Sequence, residues 1–450
     1  MVNITDTVGS TQSKNVSGFS SDSKSPSASA GVSHASSAFR LEDRSARWGK
    51  KIWAIVFDLP GEKVNKLSKS VMKEFESLLN RLEDMGKNQQ VDALVLVSGK
   101  PGNFIAGADI EMIQATKSPE EAEALSRSGQ VLMDRWEDLP FPTVAIIQGA
   151  ALGGGCEFAL ASTAIVASSD SSTRIGLPET QLGVIPGMGG CIRLPIKVGV
   201  ATALDLILTG KALSGERAYK AGLADAYFPK ENFEDSAIGW VSSQIENLKA
   251  GKRLGKEPKL GGMGGMMGSL LENNPVGRSV VFKKAREGVI SKTKGHYPAP
   301  IEAIQVIHDA GVTYGPRLRG LARESAMKRE AQGFGQMAAT DVSKNLIRLF
   351  FLTEAVKKAK GVPVTSSAKA TAVSSGAVLG AGVMGGGIAQ LLADKRIPVR
   401  MKDINNQALA LGVTAASRIF QKQVKTRKIN AREMSQKIGL IAPVLDYSGS

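Results

Sequence analysis

"PTVAIIQGAALGGGCEFALAS" occupies residues 142–162. A nearly continuous apolar run meets three glycines, then continues as small apolar residues that enclose one carboxylate, Glu157. Such a run suits a strand buried on both faces, and the glycines suit the turn into a closely packed helix. The stretch also raises a chemical question. A carboxylate among apolar neighbours is costly unless it is paired, hydrogen-bonded or kept neutral.

The flanking sequence repeats the strand-to-helix step. "KIWAIVFDLP" (51–60) reads as a first strand, and "VDALVLVSG" (91–99) as another buried one. Between them, Val71, Phe75, Leu78, Leu79 and Leu82 fall on one face at helical spacing. "SPEEAEALSRSGQVLMDRWEDLP" (118–140) opens with an N-cap serine and first-turn acids, the signature of a helix start. Alternating strands and helices predict an α/β architecture. Beyond about residue 200 the strands thin out and helical patterns dominate. "LGGMGGMMGSLLENN" (260–274) and "GVPVTSSAKATAVSSG" (361–376) read as a connection and a linker, and "AVLGAG" (377–382) opens a fresh unit.

With 450 residues, 42% of them apolar, the chain can form two or three domains with a large core. Cys156 and Cys191 are the only cysteines, so at most one disulfide could form and a reducing compartment is expected. No apolar run reaches membrane-spanning length. The formal charge of +15 attracts polyanions in general, with basic clusters at 251–259, 282–288 and 354–361. No aromatic-rich nucleic-acid motif accompanies them, so solvated helix faces are expected rather than nucleic-acid binding. The Ser-rich tract over residues 9–37 lacks the apolar content needed for folding and reads as disordered. It has no secretory apolar region and, with only Arg40 and Arg44 in the segment, is too Arg-poor for a typical transit peptide. A cytoplasmic location is favoured, with the mitochondrial matrix as the alternative.

A second carboxylate, Glu179, stands in "RIGLPETQLGVIPGMGG" (174–190) beside a Gly/Pro-controlled backbone. Two carboxylates facing one cavity push their pKa values apart, so that one holds a proton while the other is ionised. The glycines before the helix leave bare N–H groups at its positive end, where an oxyanion can be held. "NFIAGADIEMI" (103–113) offers another exposed backbone turn. Together these stretches could polarise a carbonyl and move protons beside it. Tight helix packing and a solvated glutamate are the plainer explanation of the same residues.

"FIAGADI" (104–110), "GAALGGGCEFALA" (149–161) and "IGLPETQLGVIPGMGGCIRLP" (175–195) resemble, in order and spacing, the signature segments of the crotonase (enoyl-CoA hydratase/isomerase) superfamily. The similarity continues through "ALDLILTGK" and "AGLADA". "GHYPAPIEAIQVI" (295–307) and the segment 378–405 resemble the α-subunit family of fatty-acid oxidation complexes, which joins a hydratase/isomerase to a 3-hydroxyacyl-CoA dehydrogenase. The resemblance implies acyl-CoA thioester substrates, a thiolase β subunit as partner, and no metal. It implies that the N–H groups of Ala108 and Gly154 form an oxyanion hole, that Glu157 deprotonates the water attacking C3, and that Glu179 exchanges the proton at C2. Ala106, Ala108, Asp109 and Gly154 would contact substrate, as would Glu354 in "FFLTE". An acyl-CoA isomerase alone, or a non-catalytic assembly subunit, are the other readings; a pure scaffold does not require both glutamates.

"VLGAGVMGGGIAQLLADKRIPVRMKDIN" (378–405) places Gly380, Gly382 and Gly385 in G-x-G-x-x-G register between a strand and a helix. Asp403 ends the next strand at the separation suited to a ribose 2′-OH, which favours NAD over NADP. Met384 would line the pyrophosphate turn by resemblance. The related dehydrogenases use a downstream histidine, whereas His34, His296 and His308 all precede this fingerprint. The dehydrogenase module is therefore expected to be incomplete in this chain. The expected organisation is a disordered N-terminus (1–45), a crotonase spiral domain (46–235), a helical extension and linker (236–370) and a partial Rossmann unit (371–450).

Overall fold

The structure, a computed structural model, describes residues 37–260, 272, 274–359, 361, 367, 370–426 and 428–447. The chain divides into two compact units, the first ending at Lys357 and the second beginning at Lys358.

In the first unit, a six-stranded sheet is ordered β1 (Phe39–Asp43), β2 (Ile52–Phe57), β3 (Ala93–Ser98), β5 (Thr143–Ile147), β7 (Ala164–Ser168), β9 (Ala226–Phe228). Only β1 runs antiparallel to its neighbour. A small parallel sheet holds β4 (Asn103–Ile105), β6 (Ala150–Leu152) and β8 (Arg174–Gly176) in that order. The continuous apolar strands follow from burial on both faces, with side chains alternating between two cores. Ile55, Phe57, Leu94, Leu96, Ala145 and Ile147 enter the main core. Val56, Val95, Val97, Val144 and Ile146 face a second cluster with Phe233, Ala237, Val241 and Ile245.

Helices α1 (Lys69–Lys87), α2 (Ile110–Gln114), α3 (Pro119–Glu137), α4 (Gly154–Ala161), α5 (Gly190–Val198), α6 (Val200–Thr209), α7 (Gly215–Lys220) and α8 (Phe233–Lys249) follow the strands. After them come α9 (Pro275–Thr293), α10 (Pro298–Asp309), α11 (Gly320–Ala338) and α12 (Asp341–Lys358). The helix start read from sequence holds at α3, capped by Ser118, and α1, read from its apolar face, is capped by Ser68.

Three expectations need correction. The run 142–152 is not one strand: Gly149, at φ +95°, breaks it into β5 and β6, which belong to different sheets. A Cβ on Gly149 would lie 2.1 Å from the Gly102 carbonyl carbon, so this crossing of backbones admits only glycine. Disorder does not extend to residue 45. Phe39 is buried and stacks on Phe57 with centroids 4.5 Å apart, and Glu74 accepts the N–H groups of Ala38 and Phe39. Residues 1–36 lie outside the described residues. Finally, the helices from 236 to 357 are not an appendage. Ala299, Ala303, Ile307, Met327 and Phe334 enter the main core, so the first compact unit runs through α12. The Gly/Met connection lies almost entirely outside the described residues.

Asn65 ties the two sheets together. It is fully buried; its Oδ1 accepts the Leu59 N–H (2.9 Å), and its Nδ2 donates to Phe57 O (2.8 Å), Ser98 Oγ (3.0 Å) and Phe104 O (3.1 Å). Asn65→Leu orphans several buried polar groups and is expected to cost about 3 kcal/mol. Urea unfolding at an unchanged m-value measures this; an unmoved midpoint would remove Asn65 from that role.

In the second unit, β10 (Gly376–Leu379), β11 (Val399–Lys402) and β12 (Ile441–Val444) form a parallel sheet in that order. Helices α13 (Val383–Asp394), α14 (Asn406–Lys425) and α15 (Ala431–Ile438) connect them. Val378, Met401, Leu409, Ala416 and Phe420 build its own core. Among the described residues, no helix is long and apolar enough to cross a membrane.

Candidate active site

The small sheet assembles the first unit's site. Because β4, β6 and β8 are parallel neighbours, their C-terminal ends lie side by side. The Gly107–Ala108 turn follows β4, Gly153 and α4 follow β6, and Glu179 follows β8. Gly153 has φ +52° and ψ −126°, a conformation that favours glycine, and this turns the strand sharply into α4. A Cβ there would lie 3.0 Å from Glu179 Oε1 and 4.0 Å from Gly107 Cα. A Cβ on Gly154 would lie 3.2 Å from the Ala108 nitrogen. The four residues assigned to chemistry from sequence, Ala108, Gly154, Glu157 and Glu179, therefore share one locality.

The Ala108 turn is held from both sides: Leu67 N–H donates to Gly107 O, and Asp109 N–H to Leu67 O. This leaves the Ala108 N–H between them without an acceptor among the described residues. The same holds for the Gly154 N–H, the first of α4. Two free donors beside two carboxylates can stabilise an oxyanion while protons move.

The carboxylates have opposite surroundings. Glu157 is 2% exposed, and its Oε1 accepts the N–H groups of Met188 (2.7 Å) and Gly190 (2.8 Å). Burial pushes its pKa up to about 7, against those two hydrogen bonds and the charge of Arg193. Glu179 is half-buried as a residue, yet both its carboxylate oxygens are out of solvent with no hydrogen-bond partner among the described residues. Burial, then the charge of Glu157, holds it well above the usual carboxylate range. Both carboxyls therefore hold a proton more readily than a solvated glutamate, and Glu157, near 7, can give its proton up at neutral pH.

The remaining candidates are placed differently. Asp109 caps α2 by accepting the Glu111 N–H (3.2 Å), and it faces Lys66 at 3.6 Å. Ala106 is exposed, its N–H bonded to Asn65 O. Glu354 lies on α12, where Lys357 donates to it at 2.8 Å. The hydrogen bonds that build the site do not include it. Cys156 and Cys191 are buried and unbridged. A cavity of about 860 Å³ lies elsewhere, lined by Glu137, Arg193, Lys197 and Arg317, whose charges pair with one another or with Asp134 and Asp225.

Sequence reasoning missed Glu330 on α11. It is fully buried; its Oε1 accepts the Gly189 N–H (2.6 Å), and its Oε2 the Cys191 N–H (2.8 Å). Burial and the charge of Glu157 push it up to about 8. Nothing in "KREAQGFG" (328–335) marks this glutamate as buried.

In the second unit the glycine fingerprint lies between β10 and α13. Gly380, at φ +97°, ends β10, and a Cβ on Gly385 would lie 1.8 Å from Gly380 O. The third glycine thus lets α13 close on the strand, while Gly382 faces open space. Met384 is exposed beside them. Asp403 accepts the Ala381 N–H (2.6 Å) and the Ile404 N–H (2.6 Å), which hold its carboxyl below the usual range. An ionised acid tied to an open glycine turn fits an adenine dinucleotide.

Residues 48–279 match the family model described as enoyl-CoA hydratase/isomerase. The chain belongs to that family. Residues 375–450 match the NAD-binding domain of 3-hydroxyacyl-CoA dehydrogenase. The fatty acid oxidation complex subunit alpha of Idiomarina loihiensis is 40% identical over 413 residues, which are 92% of this chain and 54% of that protein. The subunit of the same name from Shewanella amazonensis is 38% identical over 398 residues, 88% of this chain and 52% of that protein. The chain spans about half the length of these curated relatives. The solved structure of human mitochondrial delta3-delta2-enoyl-CoA isomerase aligns at TM-score 0.48 and 18% identity, over 72% of this chain and 100% of that one.

Proposed function

We propose that this chain hydrates 2-trans-enoyl-CoA thioesters to 3-hydroxyacyl-CoA in fatty-acid β-oxidation, and isomerises 3-enoyl to 2-enoyl thioesters at the same site. The observation that carries this reading is the pair Glu157, whose Oε1 takes two backbone N–H groups, and Glu179, whose buried oxygens take none, beside two N–H groups without acceptors among the described residues. Water attacks C3 as Glu157 takes one of its protons. The C2–C3 electron pair moves toward the thioester carbonyl, whose oxygen takes the Ala108 and Gly154 N–H groups. Glu179 then gives its proton to C2, which completes the addition of one water. In the isomerisation ionised Glu179 takes a proton from C2, the double bond shifts from C3–C4 to C2–C3 through the enolate held by the two N–H groups, and the same carboxyl returns the proton to C4. Isomerisation alone leaves the hydrogen-bonded placement of Glu157 without a use, which favours hydration. The test is loss of the conjugated enoyl-thioester absorbance with the purified chain; a folded chain that leaves it unchanged overturns the reading.

Gly380, Gly382, Met384, Gly385 and Asp403 are the proposed holders of NAD, which when bound supplies the hydride acceptor for oxidising a 3-hydroxyacyl thioester. That oxidation also needs a base for the hydroxyl proton, and the three histidines, His34, His296 and His308, all precede Gly380. A dinucleotide spans two halves of such a sheet, and the described unit has three strands. A polypeptide of these 450 residues is therefore expected to bind NAD weakly by calorimetry and to form no NADH. NADH formation by it would show that this account of the module is wrong. The relatives' designation as subunit alpha supports assembly with a second subunit. A thiolase, the class that cleaves the oxidised product, is the proposed partner, in a reducing cytoplasm.

A further inference from the structure

The turn 188–191 carries four consecutive N–H groups into the N-terminal end of α5, and two carboxylates from distant helices divide them by alternation. Glu157 Oε1 takes Met188 and Gly190; Glu330 takes Gly189 and Cys191. Glu330 is itself held. Gln130 Nε2 on α3 donates to its Oε1 (3.0 Å) and to Met327 O (2.9 Å), while Arg127 Nη1 donates to Gln130 Oε1 (2.8 Å) and so fixes the amide's orientation. Glu157 Oε2 takes no hydrogen bond from the described residues. Neither carboxylate can relax without moving the turn that the other grips.

We infer that Glu330 is a positioning residue of the hydration site: it fixes the 188–191 turn so that Glu157 keeps one oxygen on the backbone and the other for water. This rests on the hydration reading above. The charged and titratable groups around Glu330 are Glu157 on α4, Glu179 after β8, Cys191 and Arg193 on α5, and Arg127 through Gln130. Arg193 is committed to Asp134 and Glu137. The dominant neighbour of Glu330 is thus the like charge of Glu157. Two carboxylates on one helix end resist being ionised together, so charge on one holds a proton on the other.

Glu330→Gln tests this, because it keeps the shape and places an amide donor against one of the two N–H groups. In hydration assays across the neutral pH range, kcat is expected to fall about tenfold to a hundredfold through misplacement of Glu157, with KM little changed. The acid limb of the profile should stay in place, because Glu330 already carries its proton as Glu157 ionises. A merely structural role lowers the melting temperature and leaves kcat of the folded variant unchanged. Gln130→Met removes the donor to Glu330, together with the bonds to Met327 O and from Arg127, and should lower kcat in the same way by less. It carries the test if Glu330→Gln does not fold. An active wild-type chain with an unchanged kcat in the folded variant overturns this inference and leaves the hydration reading standing. A folded wild-type chain without hydration overturns both.

Discussion

Glu157→Gln is expected to lower kcat for hydration by about a hundredfold to ten-thousandfold, and Glu179→Gln by a similar factor, the range typical of general acid–base groups. Glutamine fills the same volume, so the fold should persist in both. Their causes of failure differ. Glu157 sits at about 7 because two backbone N–H groups offset much of its burial, leaving it poised to take a proton from water near neutral pH. Glu179 has no such donors, and its burial favours the protonated form, which suits delivery to C2. Glu157→Gln therefore removes the base and Glu179→Gln the acid. Isomerisation adds a second readout, since it should be lost in Glu179→Gln and retained in part in Glu157→Gln. Near-normal hydration in either variant, with an unchanged circular dichroism spectrum, would sink the assignment.

Gly154→Val is expected to reduce turnover by about a hundredfold or more, although both glutamates remain. The nearest atom to an added Cβ is Met188 Cε, at 2.4 Å, and the end of a methionine can move aside. The Ala108 nitrogen, 3.2 Å away, is backbone held by the hydrogen bonds of the Leu67 segment and cannot. The branched side chain thus fills the space between the two proposed oxyanion donors. Enoyl-thioester hydration and the melting temperature, measured together, separate lost catalysis from lost folding. A folded variant with normal turnover removes Gly154 from the site.

Much of the first unit was legible because its strands and helices carry their own signals. β2, β3 and β5 are apolar runs, and α1 and α3 have serine caps and spaced apolar faces. Glu157 and Glu179 stood out because each is a carboxylate beside glycine or proline. The three short strands that gather the site were not legible. β4, β6 and β8 have three residues each, too few for a period to show. Their pairing depends on Gly149 crossing the backbone at Gly102, a contact between chain segments that no local pattern records. Glu330 was invisible for a related reason. Its donors lie 141 and 139 residues earlier, and its own helix carries enough charge to pass for a solvated face. The dinucleotide turn was the opposite case. Its glycines, strand and helix are contiguous, so the reason for Gly385 could be read before the contact was seen.

The alternating grip on residues 188–191 also has a consequence in time. A ribosome releases Glu157 and the turn well before α11, and Gln130 precedes Glu330 by 200 residues. Until α11 docks, Gly189 and Cys191 have no Glu330 carboxylate to hold them, and nothing from that helix sets the position of Glu157. Contacts of such separation form late because the loop they close is costly to order. The sheets can thus acquire their secondary structure while the chemistry is still unassembled, and the return of hydration after dilution from denaturant becomes a clock for the docking of one late helix.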